Sequence, residues 1–165
     1  MTPDERCHQT QLLLMNMVDY WYEVDLKGGK GVSAWYTEDG VFEGGGQPLV
    51  GREAIESFYS WRTERGERTS RHVITNFRAE FHDERTATTH CVMMLYAADG
   101  APILPSTPPI ITTDLIDQCV KGEDGAWLYK RRTFVALFQG EIAVTVPPAH
   151  LTENNTTKPA QGRPA

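Results

Sequence analysis

Arg71-His-Val-Ile-Thr-Asn-Phe-Arg-Ala-Glu-Phe81 alternates side-chain character with a period of two, Asp83-Glu84 turns it, and Thr86-Ala-Thr-Thr-His-Cys-Val-Met-Met-Leu-Tyr-Ala97 answers it. In an extended chain that period puts successive side chains on opposite faces, so the two runs predict a long antiparallel hairpin. Upstream the period is helical. Thr2-Pro-Asp-Glu5 has the form of a capping box with proline at the first helical position. Leu13, Met17, Tyr20, Trp21 and Val24 then form one apolar stripe, predicting a helix to about residue 25 that Lys27-Gly-Gly-Lys-Gly31 ends. A short helix over 32–36, a turn at Glu38-Asp-Gly40, a brief strand at Val41-Phe-Glu43 and a turn at Gly44-Gly-Gly46 follow. A helix over 52–64 buries Ile55, Phe58 and Tyr59.

Downstream of the hairpin, Asp99-Gly100 opens a loop with Pro102, Pro105, Pro108 and Pro109, a run no central strand tolerates. Residues 110–120 and 127–138 form a second hairpin around Gly122-Glu-Asp-Gly125. Helices first and antiparallel strands afterwards predict an α+β fold. N-terminal helices pack on a curved, mostly antiparallel sheet, a cone-shaped barrel enclosing a pocket. Residues 1–140 form one domain. Residues 141–165 are a polar tail, flexible or packed on a neighbouring subunit.

Bulk composition narrows the function. Asp and Glu outnumber Lys and Arg by 22 to 16, a net charge of −6, and no basic cluster surrounds exposed aromatics, so a nucleic-acid partner is not expected. No apolar run approaches the roughly 20 residues that span a bilayer, and Asp4 and Glu5 stand where a signal peptide carries positive charge. No membrane partner and a cytoplasmic location are expected. Cys7, Cys91 and Cys119 lack Cys-x-x-Cys spacing and read as buried or free thiols. No metal site is expected, since His82 and His90 lack a third ligand. Nor is a cofactor expected: Gly44-Gly-Gly46 lacks the Lys-Ser/Thr of a phosphate loop.

The residues that could carry chemistry are few. Asp25 falls at the C-terminal end of the first helix, where the dipole disfavours negative charge, so a role there needs a cationic or hydrogen-bonding partner. His72 on the first long strand can supply it: a carboxylate accepting one ring N–H fixes the tautomer and leaves the other nitrogen as a general base. Tyr20 lies about 140° of helical rotation from Asp25. It is either a core aromatic or a donor to a leaving hydroxyl or enolate oxygen. Trp35, Phe42, Phe58, Met94 and Tyr96 supply apolar bulk as candidate substrate-binding residues, and His90 on the second long strand could approach the pocket.

The stretches Trp35-Tyr-Thr-Glu-Asp-Gly-Val-Phe42, Val50-Gly-Arg-Glu-Ala-Ile55 and Asp124-Gly-Ala-Trp127, in that order, resemble the SnoaL-like branch of the nuclear-transport-factor-2-like superfamily over residues 11–139. Scytalone dehydratase, bile-acid 7α-dehydratase and hexachlorocyclohexane dehydrochlorinase are similar in this region. The resemblance implies that Asp25 and His72 form a proton-abstracting pair. Tyr20 matches a tyrosine of the bile-acid enzyme, and Arg132 an arginine that helps the leaving group depart in the dehydrochlorinase. It implies a cofactor-independent lyase or isomerase acting on a small hydrophobic cyclic substrate, in a homo-oligomer, dimer or trimer. The alternatives are a non-catalytic ligand-binding protein or the accessory small subunit of a ring-hydroxylating dioxygenase. A limonene-type epoxide hydrolase would need an Asp-Arg-Asp set, for which the parity of Asp114 and Asp117 is open.

Overall fold

The computed structural model describes residues 1–152. Helix α1 (Pro3–Lys27) starts as its sequence dictates: the Thr2 hydroxyl accepts from the Glu5 N–H, and the Glu5 carboxylate accepts from the Thr2 N–H at 2.6 Å. Its stripe of Leu13, Met17, Tyr20, Trp21 and Val24 is buried. A 3-10 turn (Val32–Trp35) leads to strand β1 (Tyr36–Glu43). Then come β2 (Leu49–Val50), α2 (Arg52–Glu64), β3 (Arg68–Phe81), β4 (Thr86–Asp99), β5 (Ile111–Lys121), β6 (Trp127–Gln139) and a short α3 (Ala149–Thr152). The six strands form one sheet in the order β2-β1-β6-β5-β4-β3, antiparallel except where β1 runs parallel to β6. Both expected hairpins are present, with helices α1 and α2 packed on the sheet's concave side. Among the described residues no helix is long and apolar enough to cross a membrane.

The curvature that makes a pocket has local causes. Asn76, at φ 55°, marks an irregularity in β3 between Thr75 and Arg78, and β5 and β6 slip register at Thr112/Thr113 and Gln118/Cys119. Such bulges bend a strand and increase its twist. Expected and observed elements part company at Glu38-Asp39-Gly40. The turn signal there is absorbed inside β1, whose pairing with β6 shifts register between Tyr36 and Val41. A Cβ at Gly40 would stand 2.7 Å from Tyr36 Cβ, so the glycine serves close backbone approach and not chain reversal. The reversal comes later, through Gly44-Gly45-Gly46, and brings Leu49 and Val50 against Phe42 and Val41.

The chain beyond β6 does not leave the molecule at once. Residues 141–152 return over their own α2: Arg65 donates to Thr145 Oγ1 at 3.2 Å, Leu151 packs on the core and Thr152 is buried. The remainder of the expected tail, with the sequons at 154–157, lies outside the described residues. Cys91 and Cys119 are buried free thiols and Cys7 is exposed.

Gly29 ties α1 to α2. Its φ is +80°, and a Cβ there would lie 2.4 Å from Tyr59 Cδ1, on a ring that is 2 % exposed and cannot swing aside. Gly29→Ala is therefore expected to cost about 2–4 kcal/mol, as backbone strain plus overpacking. Chemical denaturation measures it; a cost within error of zero would mean this junction is not rigid.

Candidate active site

The end of α1 and the start of β3 meet across the mouth of the cone. On α1, Trp21 and Asp25 are four residues apart and share a face. On β3, Arg68, Ser70 and His72 follow the period of two and all line the same hollow. Asp25 accepts from both neighbours on β3. The His72 ring Nδ1 lies 2.7 Å from Asp25 Oδ1, the His72 backbone N–H donates to Oδ2 at 2.7 Å, and the Ser70 hydroxyl donates to Oδ1 at 2.8 Å. The side chains of His72 and Asp25 are each 7 % exposed. Since an ionised carboxylate only accepts, Nδ1 carries the proton and Nε2 is left as the ring nitrogen with a free lone pair. The Trp21 indole stacks on the imidazole, centroids 3.9 Å apart and planes 13° off parallel, which fixes the ring's plane.

Burial and pairing set the charges. Burial depresses the His72 pKa; the hydrogen bond and charge of Asp25 oppose this without cancelling it, so the value falls below the ordinary 6.5. Burial pushes the Asp25 pKa up, but the His72 ring, its charge, its backbone N–H and the Ser70 hydroxyl together outweigh burial and lower it. At neutral pH the pair is carboxylate plus neutral imidazole, the protonation state a general base needs.

The cavity beside His72 has a volume of about 120 Å³ and mostly apolar walls: Phe42 from β1, Phe58 and Tyr59 from α2, Met93 and Leu95 from β4, Phe134 from β6. Val144 and Thr145 of the returning chain, with Gly44, Gly45 and the Arg62 side chain of α2, also line it. The proline-rich 102–109 loop contributes nothing to this lining.

Of the expected site residues, His72, Phe42 and Phe58 line this cavity, and Asp25 holds His72 from behind. The others do not. Tyr20 is 0 % exposed, with its hydroxyl 2.6 Å from Tyr59 Oη and 3.1 Å from Tyr36 Oη. Burial, first among several causes, raises all three phenols well above 10, so they stay neutral. Arg132 is also 0 % exposed. Its guanidinium makes a two-pronged pair with Asp117 at 2.8 and 2.7 Å and lies 4.2 Å from the Tyr20 ring centre and 3.9 Å from that of Tyr129. Burial opposes its charge, but the charge and hydrogen bonds of Asp117 chiefly restore it. Neither Tyr20 nor Arg132 lines the cavity, and the Arg132–Asp117 pair lies outside its lining as well.

On β4, Met93 and Leu95 pair with Ile74 and His72 and face inward. Met94, Tyr96 and His90 therefore fall on the outer face by parity, with His90 and Tyr96 exposed. Trp35 packs beside Tyr20 at 6.1 Å and does not line the cavity. Trp21, Ser70 and Arg62 were not foreseen as site residues. Two signals pointed to them: Trp21 stands four residues before Asp25 and Arg62 four after Phe58, and Ser70 stands two before His72.

A family pattern described as a SnoaL-like domain matches residues 17–133. Among solved structures the chain is similar to a protein of Novosphingobium aromaticivorans provisionally called a scytalone dehydratase, with 20 % identity and a TM-score of 0.75 over 87 % of this chain and 94 % of that one. A protein of unknown function from Mycobacterium tuberculosis matches at 22 % identity and a TM-score of 0.72, over 93 % and 88 %. ActVI-ORFA of Streptomyces coelicolor matches at 19 % identity and a TM-score of 0.64, over 80 % and 98 %. Identities this low establish the fold and leave the reaction open. No curated protein matches the chain.

Two expectations follow from the charges. The His72 imidazole should titrate below 6.5, and lower still in Asp25→Asn, because the carboxylate is what holds it up; NMR of the ring proton reads both. Since His72 and Asp25 are both lowered on folding, their contribution to stability is complete above the unfolded value of His72 and is lost as pH falls. Arg132→Met should cost about 3–5 kcal/mol by leaving Asp117 buried and unpaired. Calorimetry measures it, and an unchanged unfolding temperature would contradict the structural role.

Proposed function

The chain belongs to the SnoaL-like domain family, and on that premise we propose that it is a cofactor-independent lyase or isomerase that removes a carbon-bound proton from a small hydrophobic cyclic substrate. The observation that carries this reading is an imidazole, hydrogen-bonded at Nδ1 by a buried carboxylate, on the wall of a mostly apolar cavity. Nε2 of His72 takes the proton. The electron pair of the broken C–H bond moves into an adjacent carbonyl, giving an enolate, or expels a leaving group from the neighbouring carbon.

Asp25 keeps Nδ1–H directed away from the cavity and stabilises the imidazolium as it forms. The Ser70 hydroxyl and the His72 backbone N–H add a donor to each carboxylate oxygen and hold the orientation of Asp25 against the imidazole. Trp21 holds the ring plane, and the apolar walls exclude water from the developing ion pair. The outer face of the sheet leaves Val73, Tyr96, Val135 and Phe138 exposed, Phe138 by 73 %, which supports assembly of identical subunits through that face.

His72→Ala tests the mechanism. With a panel of cyclic ketones in heavy water, the wild-type protein should exchange the hydrogen α to the carbonyl, and the variant should do so about 10²–10⁴-fold more slowly with an unchanged far-ultraviolet spectrum. Exchange at the wild-type rate in the variant would reject His72 as the base.

A further inference from the structure

Arg62 stands where two hollows meet. It lines the apolar cavity containing His72 and also an open cleft on the far side of Asp25, bordered by Gly28, Arg65, Glu67 and Asp99. Three arginines edge that cleft, and two are committed. Arg68 donates to Asp99 at 2.6 Å, and Arg65 donates to Thr145 with its guanidinium 5.0 Å from the Trp61 ring centre. Arg62 makes no hydrogen bond or ion pair among the described residues. Its guanidinium instead rests 5.3 Å from the ring centre of Tyr59 and 6.0 Å from that of Phe58. Contact with ring faces positions a guanidinium and leaves its five N–H donors unspent.

A partly buried, planar cation with unspent donors fits a planar pair of anionic oxygens in two-pronged geometry. The rest of the wall it shares is mostly apolar, with a volume of about 120 Å³. That limits the apolar body to about one ring, since an apolar cavity of about 150 Å³ is enough for benzene. We infer that Arg62 is the receptor for a carboxylate on the substrate, whose single apolar ring fills the cavity beside His72. The inference rests on the proposed reading and narrows it: the substrate is a cyclic acid, held by its charge at the junction with the cleft and presenting a ring carbon to Nε2.

The test is a pair of matched ligands, p-toluate and p-toluamide, titrated at pH 8 into the full chain and followed by the NMR signals of Trp21 and His72. The wild-type protein should bind the carboxylate about tenfold tighter than the amide. Arg62→Met, which keeps the apolar stem, should bind the two equally, with amide affinity within about twofold of wild type as evidence that the cavity is intact. Arg62→Gln carries the same expectation should the Met variant misfold. Equal binding of both ligands by the wild-type protein overturns the inference alone, as does a full preference surviving in either variant. If neither ligand binds the wild-type protein, the apolar-pocket reading falls with it.

Discussion

Asp25 is held by three hydrogen bonds from two residues of β3, and the mouth of the fold depends on that junction. The carboxylate sits near the end of α1 where the helix dipole repels it, and burial also works against its charge. Three donors outweigh both effects, so the end of α1 is tied to the beginning of β3. That tie aligns Trp21 with the imidazole, orients the imidazole's free edge, and decides which side of β3 becomes the cavity wall.

Behind the wall a second polar assembly does a different job. Arg132 and Asp117 are both wholly buried, on neighbouring strands at directly paired positions, with Tyr20, Tyr36, Tyr59 and Tyr129 packed around them. A buried ion pair is costly to assemble, but it is severely destabilising to leave half-made, and here its two members sit on paired positions of β5 and β6. The chain of phenol hydroxyls from Tyr36 through Tyr20 to Tyr59 links α1, β1 and α2 to that centre. Tyr59 has one face in each world: its hydroxyl is spent in the cluster, while its ring lines the cavity and supports Arg62.

Legibility followed the range of the interactions. The capping box, the stripe of α1 and both hairpins are local patterns, written in consecutive residues, and each appears where its pattern puts it. Glu38-Asp39-Gly40 has the composition of a turn but became an irregularity inside β1, because Tyr36 before it and Val41, Phe42 and Glu43 after it all pair with β6 from the far end of the chain. Met94 and Met93 show the same limit at single-residue scale. Adjacent apolar residues leave parity open, and only the pairing of β4 with β3 decides that Met93 faces inward.

By itself the sequence determined the α+β order of elements, the family resemblance, and the pairing of one aspartate at a helix end with one histidine on the first long strand as candidates for a common site. Tertiary structure alone decided that Tyr20 and Arg132 are foundations behind the wall, that Ser70 and Trp21 secure the pair, and that Arg62 reaches the cavity with no hydrogen bond or ion pair among the described residues. It also decided that residues 141–152 help close their own chain's pocket. The reason is physical: residue type and spacing reveal which groups can hydrogen-bond or bury apolar surface. Which of them share a neighbourhood depends on strand curvature and on contacts between segments dozens of residues apart, and no local pattern records those.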